Sequence, residues 1–168
     1  AEATRSGKVG VIGTEGTIAS HSYQRALALL SPDAIVFAMP CPLFVPLAEE
    51  GMVHHPATRM LAEEYLQPLL DEGIDTLVLG CTHYPLLKST LRQVAGDDVA
   101  LVDSAESVAA EVRARLATDP DRAAPLGSTP LRRFFVTDAP GPFADVAALF
   151  LGRHVEGGGD GLVHAAVG

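Results

Sequence analysis

Apolar positions along this chain fall into short solid blocks and longer stretches in which they recur every third or fourth residue. Val9 to Ile12, closed by Gly13, reads as a buried parallel strand. Ser20 opens a helix that Ser31-Pro32 stops near Leu30. Ala34 to Met39 is the second strand, ended by Pro40-Cys41-Pro42. From Pro56 to Gly73, Leu61, Tyr65 and Leu69 keep helical spacing with Leu66 and Leu70 beside them. Pro68 lies inside that pattern, which predicts a kink or an early end to regular hydrogen bonding. Thr76 to Leu79 is the third strand, Leu86 to Ala95 its helix and Gly96 the stop. Val99 to Val102 is the fourth strand, and Asp103 or Ser104 caps a helix carrying Val108, Val112 and Leu116 on one stripe.

Strand and helix alternate throughout, so the fold class is α/β, a mainly parallel four-stranded sheet flanked by helices. Thr118 to Pro130 then changes texture and reads as a surface linker. Arg133 to Val136 resumes as a strand and Phe143 to Leu151 as a helix. The tail, 152–168, is Gly-rich and without periodicity, which predicts disorder.

With 48% hydrophobic and 20% charged residues, the 168-residue chain has enough apolar side chains for a real core. A net charge of −9 with no basic cluster argues against nucleic acid or an anionic membrane as partner. No apolar stretch approaches the roughly 20 residues of a membrane span, and the first residues lack the apolar core of a signal peptide. Two cysteines 40 positions apart, Cys41 and Cys81, suggest thiols in a reducing, cytoplasmic setting instead of a disulfide framework.

The chemistry concentrates after the third strand. Gly80 is followed at once by Cys81, Thr82 and His83: a thiol, a hydroxyl and an imidazole. In an open α/β sheet ligands bind at the carboxyl ends of the strands. A thiol there faces the start of the next helix, whose free N–H groups favour thiolate. The bland readings are a buried small apolar residue for Cys81, a hydrogen-bonded structural ring for His83 and a helix cap for Thr82. Thr14 and Thr17 follow the first strand in a Gly-Thr-Glu-Gly-Thr turn. Its glycine spacing matches neither a dinucleotide fingerprint nor a P-loop, and simple turn chemistry is the alternative to ligand binding. Adjacent His54 and His55 near Glu49 and Glu50 lack further ligands at metal-site spacing, so no metal is expected. His21, His154 and His164 read as surface residues.

The run Gly-Cys-Thr-His-Tyr-Pro-Leu-Leu from Gly80 to Leu87 resembles the second cysteine motif of the cofactor-independent amino-acid racemases, the glutamate racemases most of all. The stretches from Lys8 to Thr17 and from Cys41 to Glu49 resemble that family's blocks in the family's order, and Phe134 to Asp138 with the helix to Leu151 resembles its C-terminal portion. The resemblance covers about nine tenths of the chain and is carried mainly by the cysteine motif, since the Gly/Thr block alone is weak.

The resemblance implies interconversion of L- and D-glutamate for peptidoglycan precursors, with no cofactor and with two thiols moving the α-proton. Such a reaction needs one base on each face of the α-carbon. A thiol suits the task because its unperturbed pKa of about 8.5 allows both protonation states. By resemblance Cys81 is one base, His83 assists proton movement or binds the substrate carboxylate, and Glu49 binds the ammonium group or tunes the imidazole. Thr14, Thr17 and Thr82 hold the carboxylate. Cys41 belongs to a further family motif, lies in the same lobe as Cys81 and is not the opposing base.

In that family two α/β lobes enclose the site, and each supplies a cysteine. The Asp-Ser and Asn-containing motifs of the first lobe do not occur here, and Ala1 is not an initiator Met. The chain therefore reads as one complete lobe, 1–103, followed by a returning segment of the other lobe, 104–151. Helices meant to pack on a missing lobe predict self-association or a poorly ordered last third. Within enzymes, an aspartate or hydantoin racemase stays open; outside them, a catalytically incomplete lobe that binds an acidic amino acid.

Overall fold

The computed structural model describes residues 2–119, 132–136, 140–152 and 160–164. The chain divides into two compact units, Ala1–Glu111 and Val112–Gly168.

The first unit is built on four parallel strands, β1 (Lys8–Gly13), β2 (Ile35–Pro40), β3 (Thr76–Leu79) and β4 (Ala100–Asp103), in the order β2-β1-β3-β4. β1 pairs with β2 from Lys8–Ile35 to Gly13–Pro40 and with β3 from Val9–Thr76 to Ile12–Leu79. β3 pairs with β4 from Thr76–Ala100 to Leu79–Asp103. The chain thus steps one way from β1 to reach β2 and the other way to reach β3. That reversal opens a crevice beyond the carboxyl ends of β1 and β3.

Side chains alternate across β1. Val9 and Val11 pack with Leu27, Ile18 and Tyr23, from α1 (Glu15–Ala19) and α2 (Ser22–Leu30), on one face. Ile12 joins the larger core on the other face. There α3 (Phe44–Glu49), α4 (Pro56–Asp71) and α5 (Lys88–Ala95) bury Phe44, Ala62, Leu66, Leu69 and Leu91 against Leu77 and Leu79. Each such fully buried large side chain contributes roughly 1.5–3 kcal/mol of transfer free energy.

Several elements differ from the sequence expectation. The helix expected from Ser20 to Leu30 is α2, Ser22–Leu30, and a short α1, Glu15–Ala19, not foreseen, precedes it; His21 between the two takes a left-handed φ of 50°. α3 was not foreseen. Pro46 is its third residue, where an N–H has no intrahelical partner, so the ring costs the helix nothing there. α4 runs three residues past Pro68 to Asp71. So close to the end of the helix, the lost N–H is not enough to stop it. Its buried stripe is Thr58, Ala62, Leu66 and Leu69, with Leu61, Tyr65 and Leu70 only partly buried beside it. Between β3 and α5 the chain makes a 3-10 turn, Tyr84–Leu87, and the helix proper begins at Lys88.

β4 leads into α6 (Ser104–Thr118), and Asp103 is its cap, accepting from the Glu106 N–H at 2.8 Å. The other carboxylate oxygen takes the Lys88 ammonium at 2.8 Å. Burial alone would raise the Asp103 carboxyl, but the hydrogen bonds from Glu106 and Lys88 outweigh it and lower it. These contacts tie the first turns of α6 to the sheet.

In the second unit β5 (Arg132–Val136), α7 (Pro140–Leu151) and β6 (Asp160–His164) form a strand-helix-strand unit with the strands parallel. Phe134 and Phe143 meet at 6.4 Å between ring centroids. Asp160–His164, within the Gly-rich tail, pair with β5 once α7 has returned the chain. Five residues are too few to show a period in sequence. Most of the expected linker, 120–130, and residues 153–159 and 165–168 of the tail lie outside the described residues.

Candidate active site

The crevice between β1 and β3 receives one loop from each strand. β1 delivers Thr14, two residues beyond Ile12; β3 delivers Cys81, two residues beyond Leu79; and Ile12 and Leu79 are register partners. Adjacent strands lie about 4.8 Å apart, so the two loops leave the sheet side by side. Gly80 makes this possible. Its N–H donates to the Ile12 carbonyl at 2.7 Å, and a Cβ on it would sit 2.7 Å from that same oxygen and 3.0 Å from the Tyr23 ring.

Cys81 is a free, half-buried thiol, so it is neither a core residue nor a freely solvated one. Thr82 follows, exposed, and its hydroxyl makes a long 3.5 Å contact with Nδ1 of His83. Thr82 makes no capping bond; the residue before the 3-10 turn is His83, which also has none. The N–H groups expected to face the Cys81 thiol are otherwise engaged. Tyr84 donates its N–H to the Cys81 carbonyl at 3.2 Å, and Pro85 has none to give.

Glu49, the last residue of α3, reaches the same place. Its Oε1 lies 3.3 Å from Nε2 of His83. Glu49 and His83, 34 positions apart in sequence, therefore meet next to Cys81, and Glu50 forms the C-cap of the same helix.

On the β1 side, Thr14 and Thr17 share a hydrogen bond between hydroxyls at 2.9 Å, and Thr14 also accepts the Thr17 N–H at 3.3 Å as the cap of α1. Turn chemistry and a ligand-facing hydroxyl are compatible here, because both side chains remain partly exposed.

Cys41 lies on the far side of β1 from Cys81, at the end of β2, with its N–H on the Gly13 carbonyl at 2.8 Å. It is fully buried, and burial pushes its thiol up to about 12. A thiol so held stays protonated at neutral pH. His55 accepts the Ala57 N–H on Nδ1 at 3.1 Å and caps α4. Among the described residues no group of three or more His, Cys, Asp and Glu side chains is arranged to hold a metal, and no helix is long and apolar enough to cross a membrane.

Tyr84 escaped the sequence reading. It is fully buried, its ring meets Phe44 edge-on at 5.3 Å, and its hydroxyl donates to the Cys41 carbonyl at 2.8 Å. Burial, reinforced by Cys41, Cys81 and Tyr65, pushes its phenol well above the ordinary tyrosine value. The signal was present in the motif, but a buried aromatic in an apolar run looks like core alone.

The family model described as Asp/Glu/Hydantoin racemase matches residues 1–112. A glutamate racemase from Syntrophus aciditrophicus is 51% identical over 158 residues, covering 92% of this chain and 57% of that protein. One from Geobacter metallireducens is 47% identical over 152 residues, covering 90% and 56%. Among solved structures, a glutamate racemase isoform from Bacillus anthracis aligns with a TM-score of 0.80 at 34% identity over 99% of this chain and 59% of that one. Glutamate racemase from Francisella tularensis, in complex with D-glutamate, aligns with a TM-score of 0.77 at 33% identity over 96% and 58%. The chain spans a little over half the length of the relatives it matches.

Proposed function

The chain belongs to the Asp/Glu/Hydantoin racemase family, and from that premise we propose that its site serves the inversion of glutamate at the α-carbon. The observation that carries the reading is a free, half-buried thiol on a strand end, beside a His–Glu pair and next to a threonine loop from the adjacent strand. The names of the relatives favour glutamate over aspartate or a hydantoin.

The chemistry follows from the groups present. Thr14, Thr17 and Thr82 offer hydroxyls to the α-carboxylate. Cys81 as thiolate takes the α-proton: the S–H bond forms, the Cα–H bond breaks and the electron pair passes into the carboxylate. His83 assists that proton movement, and Glu49 orients its ring. Inversion is complete when an acid on the opposite face returns a proton to Cα. Cys41 is not that acid, being buried and on the same sheet edge; in our reading a thiol of the other lobe is, within the part of the relatives that this chain does not span. Residues 1–103 then form one lobe, and the helices and strands that follow belong with the other.

The product, D-glutamate, fits a role in supplying peptidoglycan precursors, and a thiol base suits the reducing environment of the cytoplasm. Val108, at 60% exposure, and Val112, at 49%, leave an apolar stripe on α6 that we expect either the other lobe or a second copy to cover. Static light scattering showing a monomer at all concentrations removes the second copy.

The test of the reading is substrate protection. Iodoacetamide should alkylate Cys81 and spare Cys41, and millimolar L- or D-glutamate should slow the Cys81 reaction about tenfold if bound substrate covers the thiol. Alkylation of Cys81 that is indifferent to both enantiomers contradicts the proposal.

A further inference from the structure

Two successive residues of the Cys81 turn engage α3 and the chain just ahead of it. His83 meets Glu49, the last residue of α3, and Tyr84 reaches the carbonyl of Cys41, three residues before α3 begins. That helix is only six residues, about 9 Å, long. It acts as a short strut beside the turn: the Tyr84 phenol holds the Cys41 carbonyl, that carbonyl also takes the N–H of Phe44, the first residue of α3, and the imidazole meets its last residue. The Tyr84 backbone completes the arrangement, since its N–H holds the Cys81 carbonyl at 3.2 Å.

We propose that Tyr84 is a positioning residue for the reaction: its hydroxyl sets α3 against the turn and so fixes His83 and Glu49 relative to the Cys81 thiol. The proposal rests on the reading of Cys81 as the base. It requires the phenol to act on geometry beyond its contribution to the core, and the structure supplies the reason to separate the two. The Cys41 carbonyl also accepts the Phe44 N–H at 3.2 Å. Removing only the Tyr84 hydroxyl therefore leaves no orphaned acceptor, while the ring keeps its edge-on packing on Phe44. What is lost is the pin.

Tyr84→Phe tests this, with two readouts beyond stability. Cys81-dependent deuterium exchange into glutamate should fall about tenfold in kcat while KM stays within about twofold, as expected when a reacting group is displaced slightly. The imidazole ¹⁵N resonances of His83 should move toward those seen in Glu49→Gln, with the β3 amides as protected from hydrogen exchange as in the parent. Unchanged kcat and unchanged His83 resonances overturn the proposal, as does a loss of kcat matched by a loss of β3 protection. If the parent chain shows no Cys81-dependent exchange, the racemase reading is what fails, and the His83 resonances alone then decide the role of Tyr84.

Discussion

His83 and Glu49 face each other across the mouth of the sheet, Nε2 to Oε1, at 3.3 Å. The imidazole belongs to the turn after β3 and the carboxylate to the end of α3, so the contact joins the loop that carries the thiol to the helix packed beside it. Both side chains are partly exposed, at 26% and 49%. Such a pair adds little to folding, yet it fixes which way the ring faces.

Glu49→Gln should accordingly separate activity from stability. Unfolding free energy should change by less than about 0.5 kcal/mol. Proton exchange at the α-carbon should drop roughly ten- to a hundredfold, as the loss of an orienting partner does for a general acid or base. Denaturant titration beside NMR-followed exchange checks both. Equal rates in the two proteins remove Glu49 from the machinery.

The second cysteine offers the converse case. Cys41→Ala removes a fully buried thiol and leaves intact the backbone carbonyl that Tyr84 uses. A small cavity should cost about 1 kcal/mol of stability. Exchange measured on the folded protein should stay within about twofold of the parent. A collapse of exchange in this variant would make Cys41 a participant.

Gly80→Ala should be among the most damaging small changes in the motif. The new methyl meets the Ile12 carbonyl at 2.7 Å, and a backbone oxygen in a sheet cannot step aside as a flexible side chain does. We expect a loss of about 1–3 kcal/mol, read as a lower midpoint in thermal unfolding. The separation of β1 and β3 at their carboxyl ends should widen and carry Cys81 with it, so the Cys81 alkylation rate changes too. A midpoint equal to the parent's contradicts the close approach.

Acid should also act on the opposite end of the sheet. Asp75 accepts from the Thr4 hydroxyl and the Arg5 N–H at 2.7 Å each and from the Ser6 N–H at 2.6 Å, clasping the N-terminal segment to the start of β3. Burial alone would raise this carboxyl, but the bonds from Thr4, Ser6 and Arg5 outweigh it and hold it well below the usual carboxylate range. The unfolded chain titrates Asp near 3.9, so the native state favours the charged form. The contribution is therefore fully present above about pH 4 and is lost as pH falls from there toward the folded value. Asp75→Asn should start with a lower melting temperature at pH 7 and lose less of it between pH 5 and pH 3. Parallel curves for the two proteins contradict the sign.

The four parallel strands of the first unit were legible in sequence, and the reasons are local. Val9 to Ile12 and Leu77 to Leu79 are short β-favouring runs closed by Gly13 and Gly80, and Cys81, Thr82 and His83 follow Gly80. The order β2-β1-β3-β4 was not legible, because no residue states which side of β1 a crossover lands on. α3 is under two turns long and too short to show a period, so Glu49 could be placed only by resemblance, not by structure. α1, five residues long, was likewise too short to show a period, whereas α2 kept the start and stop that Ser20 and Ser31-Pro32 suggested. Tyr84 was invisible as anything but core because its partner is a backbone carbonyl 43 positions away.

The measurement that tests the account most directly is deuterium incorporation at the α-carbon of L- and D-glutamate in D₂O, followed by NMR, with Cys81→Ala beside the parent chain. The account predicts that the parent deuterates one enantiomer with retention and that Cys81→Ala does not, because one base on one face can remove and return a proton only from that side. Deuteration that persists in Cys81→Ala, or inversion by a chain whose other thiol is buried, would contradict it.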